Sequence, residues 1–130
     1  MEMGYVHSMY GVRQNEIFSI RRGSVFCLEK VEFGSLAAAY YYDSDPPSGV
    51  MFQDGVWIIK GGGKIYPILK YRASDRTGHT LKVRGQAIDL SERLAGHEGL
   101  IYLELERRSR LSSLFIALRT GLFDAPDCEA

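Results

Sequence analysis

Asp54-Gly55 lies between two short apolar-rich runs, Val50–Gln53 and Val56–Lys60. Both turn positions tolerate a positive φ, so the pair predicts a two-residue β-hairpin turn. A chain with a hairpin at its middle builds antiparallel sheet around it, and the neighbouring segments carry strand signals too. Glu16–Arg22 and Ser24–Phe33 are rich in β-branched and aromatic residues, with Gly23 between them. Gly61-Gly62-Gly63 turns the chain into Lys64–Arg72, and the loop Ala73–Gly78 leads to His79–Arg84. The whole reads as an antiparallel meander. Ser35–Tyr42 is ambiguous: its alanines favour a helix, whereas Tyr40-Tyr41-Tyr42 favour a strand.

Two helices are expected further on. Asp89-Leu90-Ser91-Glu92 matches a capping box, with Gly96 closing a short helix. Leu111, Leu114, Phe115 and Leu118 fall at i, i+3, i+4 and i+7, which predicts an amphipathic C-terminal helix with Gly121 beyond its end. Between them, Leu100–Arg107 alternates as a strand, with Ile101, Leu103 and Leu105 on one face and Tyr102, Glu104 and Glu106 on the other. The expected fold is α+β and strand-rich: a curved antiparallel sheet or partly closed barrel carrying a C-terminal amphipathic helix. Alternation is imperfect in Ser24–Phe33 and Val56–Lys60, so parts of the sheet are expected to be covered on both sides.

The length of 130 residues suits one domain, expected over residues 1–123 with 124–130 as a flexible tail. Hydrophobic residues make up 45% and charged residues 25%, which excludes a disordered or collagen-like chain. No apolar run is long enough to span a bilayer, so no membrane partner is expected. Met1-Glu2-Met3-Gly4 lacks the basic and apolar regions of a secretion signal, which makes a cytoplasmic location the expectation. Cys27 and Cys128 are accordingly expected as free thiols.

Chemical motifs are scarce. Gly61-Gly62-Gly63-Lys64 resembles part of a phosphate loop, but Ile58 and Ile65 occupy the positions that need Gly and Ser or Thr, and an extended segment follows. His7, His79 and His97 have no partner at metal-ligand spacing. Alternation with Leu81 and Val83 makes His79 a hydrogen-bonded core histidine. Asp43, Asp45 and Asp54 read as turn formers, since Pro46-Pro47 interrupts a calcium-loop pattern. No nucleophile motif is present. The sequence therefore names no catalytic residue, cofactor or metal.

Arg72-Ala73-Ser74-Asp75-Arg76 followed by Asp89-Leu90-Ser91 resembles a fragment of the PilZ family's cyclic-di-GMP signature. Leu94 stands where that family has Gly, Gly96 comes two positions late, and the chain after it is too short for that family's barrel. The resemblance carries no expectation about function.

Net charge is zero but unevenly spread. Residues 60–84 hold seven bases against Asp75 alone, a local balance of +6, and the segments on either side hold −3 each. If Lys64–Arg72 pairs with His79–Arg84, then Lys64, Tyr66, Lys70, Arg72, Lys82 and Arg84 share one sheet face, a candidate anion- or partner-binding face. If Leu100–Arg107 lies beside His79–Arg84, Glu104 and Glu106 neutralise much of it, and that self-compensated face is the favoured expectation.

Three functions remain. The first is a non-enzymatic interaction domain whose partner is a protein or a second copy of the chain, using edge strands and Tyr40-Tyr41-Tyr42. The second is a barrel or cone around a small apolar ligand, or an enzyme built on that cavity, with Trp57 and tyrosines facing inward. Nucleic-acid binding through residues 60–84 is the least favoured.

Overall fold

The computed structural model describes residues 1–94, 98–108 and 113–122, and side chains as far as Glu106. Eleven strands and one α-helix follow one another along these residues: β1 (Glu2–Val6), β2 (Arg13–Arg21), β3 (Val25–Phe33), α1 (Leu36–Tyr42), β4 (Met51–Gln53), β5 (Val56–Lys60), β6 (Ile65–Tyr66), β7 (Ile68–Ala73), β8 (Thr80–Val83), β9 (Gln86–Asp89), β10 (Gly99–Arg108) and β11 (Ser113–Leu122). They form two antiparallel sheets. The larger runs β4-β5-β3-β2-β1-β8-β9, with β6 pairing β3 beside that path, and the smaller runs β11-β10-β7. Neither closes into a barrel.

Turn chemistry places the central hairpin as expected. Asp54 and Gly55 adopt φ of 52° and 82°, and Phe52 pairs with Trp57 across it. The triple glycine serves a different need at each position. Gly62 and Gly63 adopt positive φ, whereas a Cβ on Gly61 would collide with the Leu28 carbonyl oxygen. That close approach locks the β5–β6 connection onto β3, through Gly61 N–H to the Glu29 carbonyl at 2.8 Å and Leu28 N–H to the Lys64 carbonyl at 2.9 Å.

The helical reading prevails in Ser35–Tyr42. Ser35 is the N-cap, its Oγ accepting from the Ala38 amide at 3.2 Å. Ala38 and Ala39 are fully buried against β3 and β5, and Tyr40 and Tyr41 are exposed. This helix explains why β5 buries Ile58 and Ile59 in succession: the sheet is covered on both faces there.

Pro67 divides what the sequence presents as one strand. It has no N–H to continue the ladder on β3, so Ile65–Tyr66 pairs β3 and the chain then leaves to pair β10. The departure also shifts the parity. Leu69 is buried and Lys70 and Arg72 are exposed, but Tyr66, expected on the outer face with them, packs against the core while Ile65 is exposed. Among the described residues β7 pairs on one side only, with β10.

Two expected helices are corrected. Ser113–Leu122 is the strand β11, in register with β10 through Leu103 opposite Leu118 and Glu104 opposite Ala117. Leu114, Ile116 and Leu118 also satisfy a period of two, and a ten-residue ladder on β10 outweighs the local helical spacing. The Asp89 segment forms only a 3₁₀ turn at Glu92–Leu94. Asp89 is the last residue of β9, and its carboxylate accepts from the Ser91 amide at 2.9 Å, an Asx turn in place of the capping box. Residues 124–130, His97 and Cys128 lie outside the described residues.

Both sheets contribute to one core. Met3, Phe18, Phe26, Val31 and Phe33 come from the larger sheet, and Leu69, Ile101, Leu103 and Leu105 from the smaller one. β10 buries the three residues its alternation assigns inward. Cys27 is a buried free thiol. No helix among the described residues is long and apolar enough to cross a membrane.

Candidate ligand-binding cleft

Where β7 leaves β3 at Pro67, the two sheets part around an open cleft of about 710 Å³. That lies within the range of small-molecule sites, roughly 300–1,000 Å³. One wall is the β1–β2 pair, bringing Tyr5, Gln14, Glu16 and Phe18; the other is β7, bringing Tyr71. Tyr42 from α1, Tyr66 from β6 and His79 before β8 complete the lining. Alternation explains β2. Phe18 is a core residue, so Gln14 and Glu16, at even spacing from it, share its inward face.

Glu16 is the centre of the cleft. Its Oε1 accepts from the Tyr5 hydroxyl at 3.0 Å and its Oε2 from the Tyr71 hydroxyl at 2.5 Å. Gln14 in turn donates from Nε2 to the Tyr5 oxygen at 2.7 Å. Burial pushes the Glu16 carboxyl above its ordinary value, and the hydrogen bonds from Tyr71, Tyr5 and Gln14 hold it down in part. Among the described residues no ion pair involves Glu16. The groups that compensate its charge are neutral.

Four tyrosines feel this carboxylate. Burial and then Glu16 raise the proton affinities of Tyr5, Tyr66 and Tyr71, and push Tyr42 up to about 12. All four phenols therefore stay protonated at neutral pH, as donors. Gln14 is 2% exposed, and its Oε1 has no hydrogen-bond partner among the described residues.

His79 is buried, as alternation with Leu81 requires, and stacks on Tyr5 with ring centroids 4.8 Å apart. Thr77 Oγ1 lies 2.9 Å from His79 Nδ1 and gives its own proton to the Ser74 carbonyl, also at 2.9 Å. A neutral imidazole has one donor and one acceptor nitrogen, and Nδ1 is the one that meets Thr77. Burial pulls His79 down to about 4, so the ring is neutral at pH 7. At the mouth, His7, Tyr10 and Tyr41 form an aromatic cluster with centroids 5.2 to 5.8 Å apart.

The basic segment is distributed differently from the sequence-based expectation. β7 belongs to the smaller sheet and β8 to the larger one, so the two do not pair. Lys64 lies exposed in the turn before β6, and Arg84, with φ of 49°, in the turn before β9. Lys70 sits 5.8 Å over the Tyr102 ring, Arg72 pairs with Glu98 at 3.4 Å, and Lys82 pairs with Glu2 at 3.6 Å. β10 lies beside β7, not β8, with Glu104 opposite Ile68, so the expected pairing of Glu104 and Glu106 with β8 is also corrected. Of the six candidate residues only Tyr66, Lys70 and Arg72 line the cleft. Trp57 packs at a tilt against Phe52, ring centroids 4.7 Å apart, outside that lining.

Sequence reasoning passed over Tyr5, Gln14, Glu16 and Tyr71 as site residues. The available signal was polar residues at 14 and 16 in step with Phe18 on a core-facing strand.

Residues 1–90 match the model of a family described as a domain of unknown function, DUF1850. The chain belongs to this family. No curated protein and no solved structure matches the chain. The DUF1850 match runs from β1 to the end of β9 and contains every residue of the Glu16 cluster, while β10 and β11 lie beyond it. Among the described residues, no group of three or more His, Cys, Asp or Glu side chains is placed to hold a metal ion.

Proposed function

We propose that this chain is a binding domain and that the cleft between β2 and β7 is its site for a small ligand. One observation carries the reading: Glu16, a desolvated carboxylate compensated only by neutral donors, lines an open cleft. Taking a carboxylate out of water costs several kcal/mol. An apolar side chain beside Phe18 would fill the same place in β2 without that cost. The competing explanation is that Glu16 only fastens β2 to β1 and β7 through Tyr5 and Tyr71. A thermal-shift screen of small polar and aromatic compounds, run on the wild type and on Glu16→Gln, separates the two. Ligand binding predicts stabilising hits that Glu16→Gln loses while remaining folded. A fastening role predicts no hits on either protein.

A protein partner is the second reading, and the one-sided pairing of β7 favours it. Among the described residues β7 pairs only with β10, its residues 68–71 line the cleft, and an extended segment of a partner or of a second copy can add there as a strand. Sedimentation at high micromolar concentration tests the self-associating version, and a strict monomer overturns it.

A further inference from the structure

The cleft holds acceptors with unmet bonding capacity. The Glu16 carboxylate has lone pairs beyond the two phenol bonds it accepts. Gln14 Oε1 is buried without a donor among the described residues. The neutral His79 ring has one acceptor nitrogen. Tyr5, Tyr42, Tyr66 and Tyr71 line the cleft, and an aromatic ring carries negative potential on its face. The phenol protons of Tyr5 and Tyr71 are already given to Glu16. The nearby cations do not alter this balance. Alternation along β7 sets the charged ends of Lys70 and Arg72 on the face opposite Tyr71, over Tyr102 and against Glu98.

Building on the cleft as a ligand site, we propose that its ligand is an organic cation carrying N–H donors, a primary ammonium group with an apolar or aromatic body. The ammonium donates to Glu16 and to Gln14 Oε1, and the tyrosine faces surround its charge. The Gln14 oxygen distinguishes a protonated amine from a quaternary one, since a trimethylammonium group cannot donate to it. An anionic ligand would place its charge against Glu16, and the phenol protons of Tyr5 and Tyr71 are already committed to that carboxylate.

Isothermal titration with three probes of one shape tests this: 2-phenylethylammonium, its N,N,N-trimethyl analogue and 2-phenylethanol. Binding should weaken in that order, by roughly tenfold or more from the first probe to the last. Glu16→Gln should abolish the preference for the charged probes. Gln14→Met keeps the carboxylate and should remove only the preference for primary over quaternary ammonium, so the proposal stays testable if Glu16→Gln does not fold. Equal binding of 2-phenylethanol and 2-phenylethylammonium overturns the cationic class and leaves the cleft as a ligand site. Failure of all three probes, together with an empty thermal-shift screen, overturns the cleft itself.

Discussion

The Tyr71 hydroxyl lies 2.5 Å from Glu16 Oε2 and joins the two sheets across 55 positions of sequence. It is the polar tie between β2 and β7 at the point where Pro67 has separated them. Both residues are partly buried, so the bond forms where the dielectric is lower than in bulk water.

Tyr71→Phe keeps the ring and removes that donor. A hydrogen bond to a charged group contributes about 1.5–3 kcal/mol, and the substitution should destabilise by that amount in urea unfolding. Glu16 should also bind its proton more tightly, since burial then acts against fewer donors. Carbon NMR titration of the Glu16 carboxyl reads this directly, and an unchanged midpoint would show that the bond does not form in solution.

Glu16 and His79 make stability depend on pH in opposite senses. His79 has a folded value of about 4, below its ordinary 6.5. Between these the unfolded chain binds more protons, so stability falls as pH drops from 6.5 towards 4, by a term on the order of 3 kcal/mol. Glu16 is raised above its ordinary 4.5, so here the folded chain binds more protons and stability falls as pH rises from 4.5 through the folded value. Glu16→Gln removes the second term. Compared with the wild type, it should gain stability with rising pH across that window. Denaturant midpoints of both proteins at pH 5 and pH 7.5 check the sign.

Gly61 and Gly62 should respond very differently to alanine. A methyl on Gly61 meets the main chain of Leu28, which no rotamer can move, and the expected loss exceeds about 2 kcal/mol. Gly62 has open space around it and only its φ of 64° to maintain, so Gly62→Ala should cost about 1–2 kcal/mol. Equal melting temperatures for the two variants would contradict the close packing of β5–β6 on β3.

Local chemistry made part of this fold legible. Asp54-Gly55 announces its hairpin because both residues accept positive φ, and Ile101, Leu103 and Leu105 declare the buried face of β10 because sheet pleating has a period of two. Tyr66 was misplaced because one parity was carried across Pro67, which resets it. The C-terminal helix was misread because Leu114–Leu118 fits both periods, and only the long ladder on β10 decides between them. The Glu16 cluster was beyond reach for another reason. Tyr5, Gln14, Glu16 and Tyr71 come from three strands, and no spacing along the chain records that they meet. The inward parity of Gln14 and Glu16 was the one available sign, and it required knowing that Phe18 faces the core.

The basic segment of residues 60–84 gives the last expectation. Its cations occupy two sheets and three turns, and Arg72 and Lys82 lie within ion-pair distance of Glu98 and Glu2. Exposed pairs of this kind contribute about 0–1 kcal/mol, so they do little for stability, but each acid lowers the local potential that a polyanion would meet. A duplex or heparin chain engages several cations together only when they line one surface, and the strength of its salt dependence counts those contacts. Heparin affinity should therefore be negligible at physiological salt. Replacing both Lys70 and Lys82 with Ala should leave the salt slope unchanged and lower stability by less than about 1 kcal/mol. A steep slope that flattens in the double variant would show that the two sheets present their cations to one polyanion after all. The separation of β7 from β8 is the feature that argues against it.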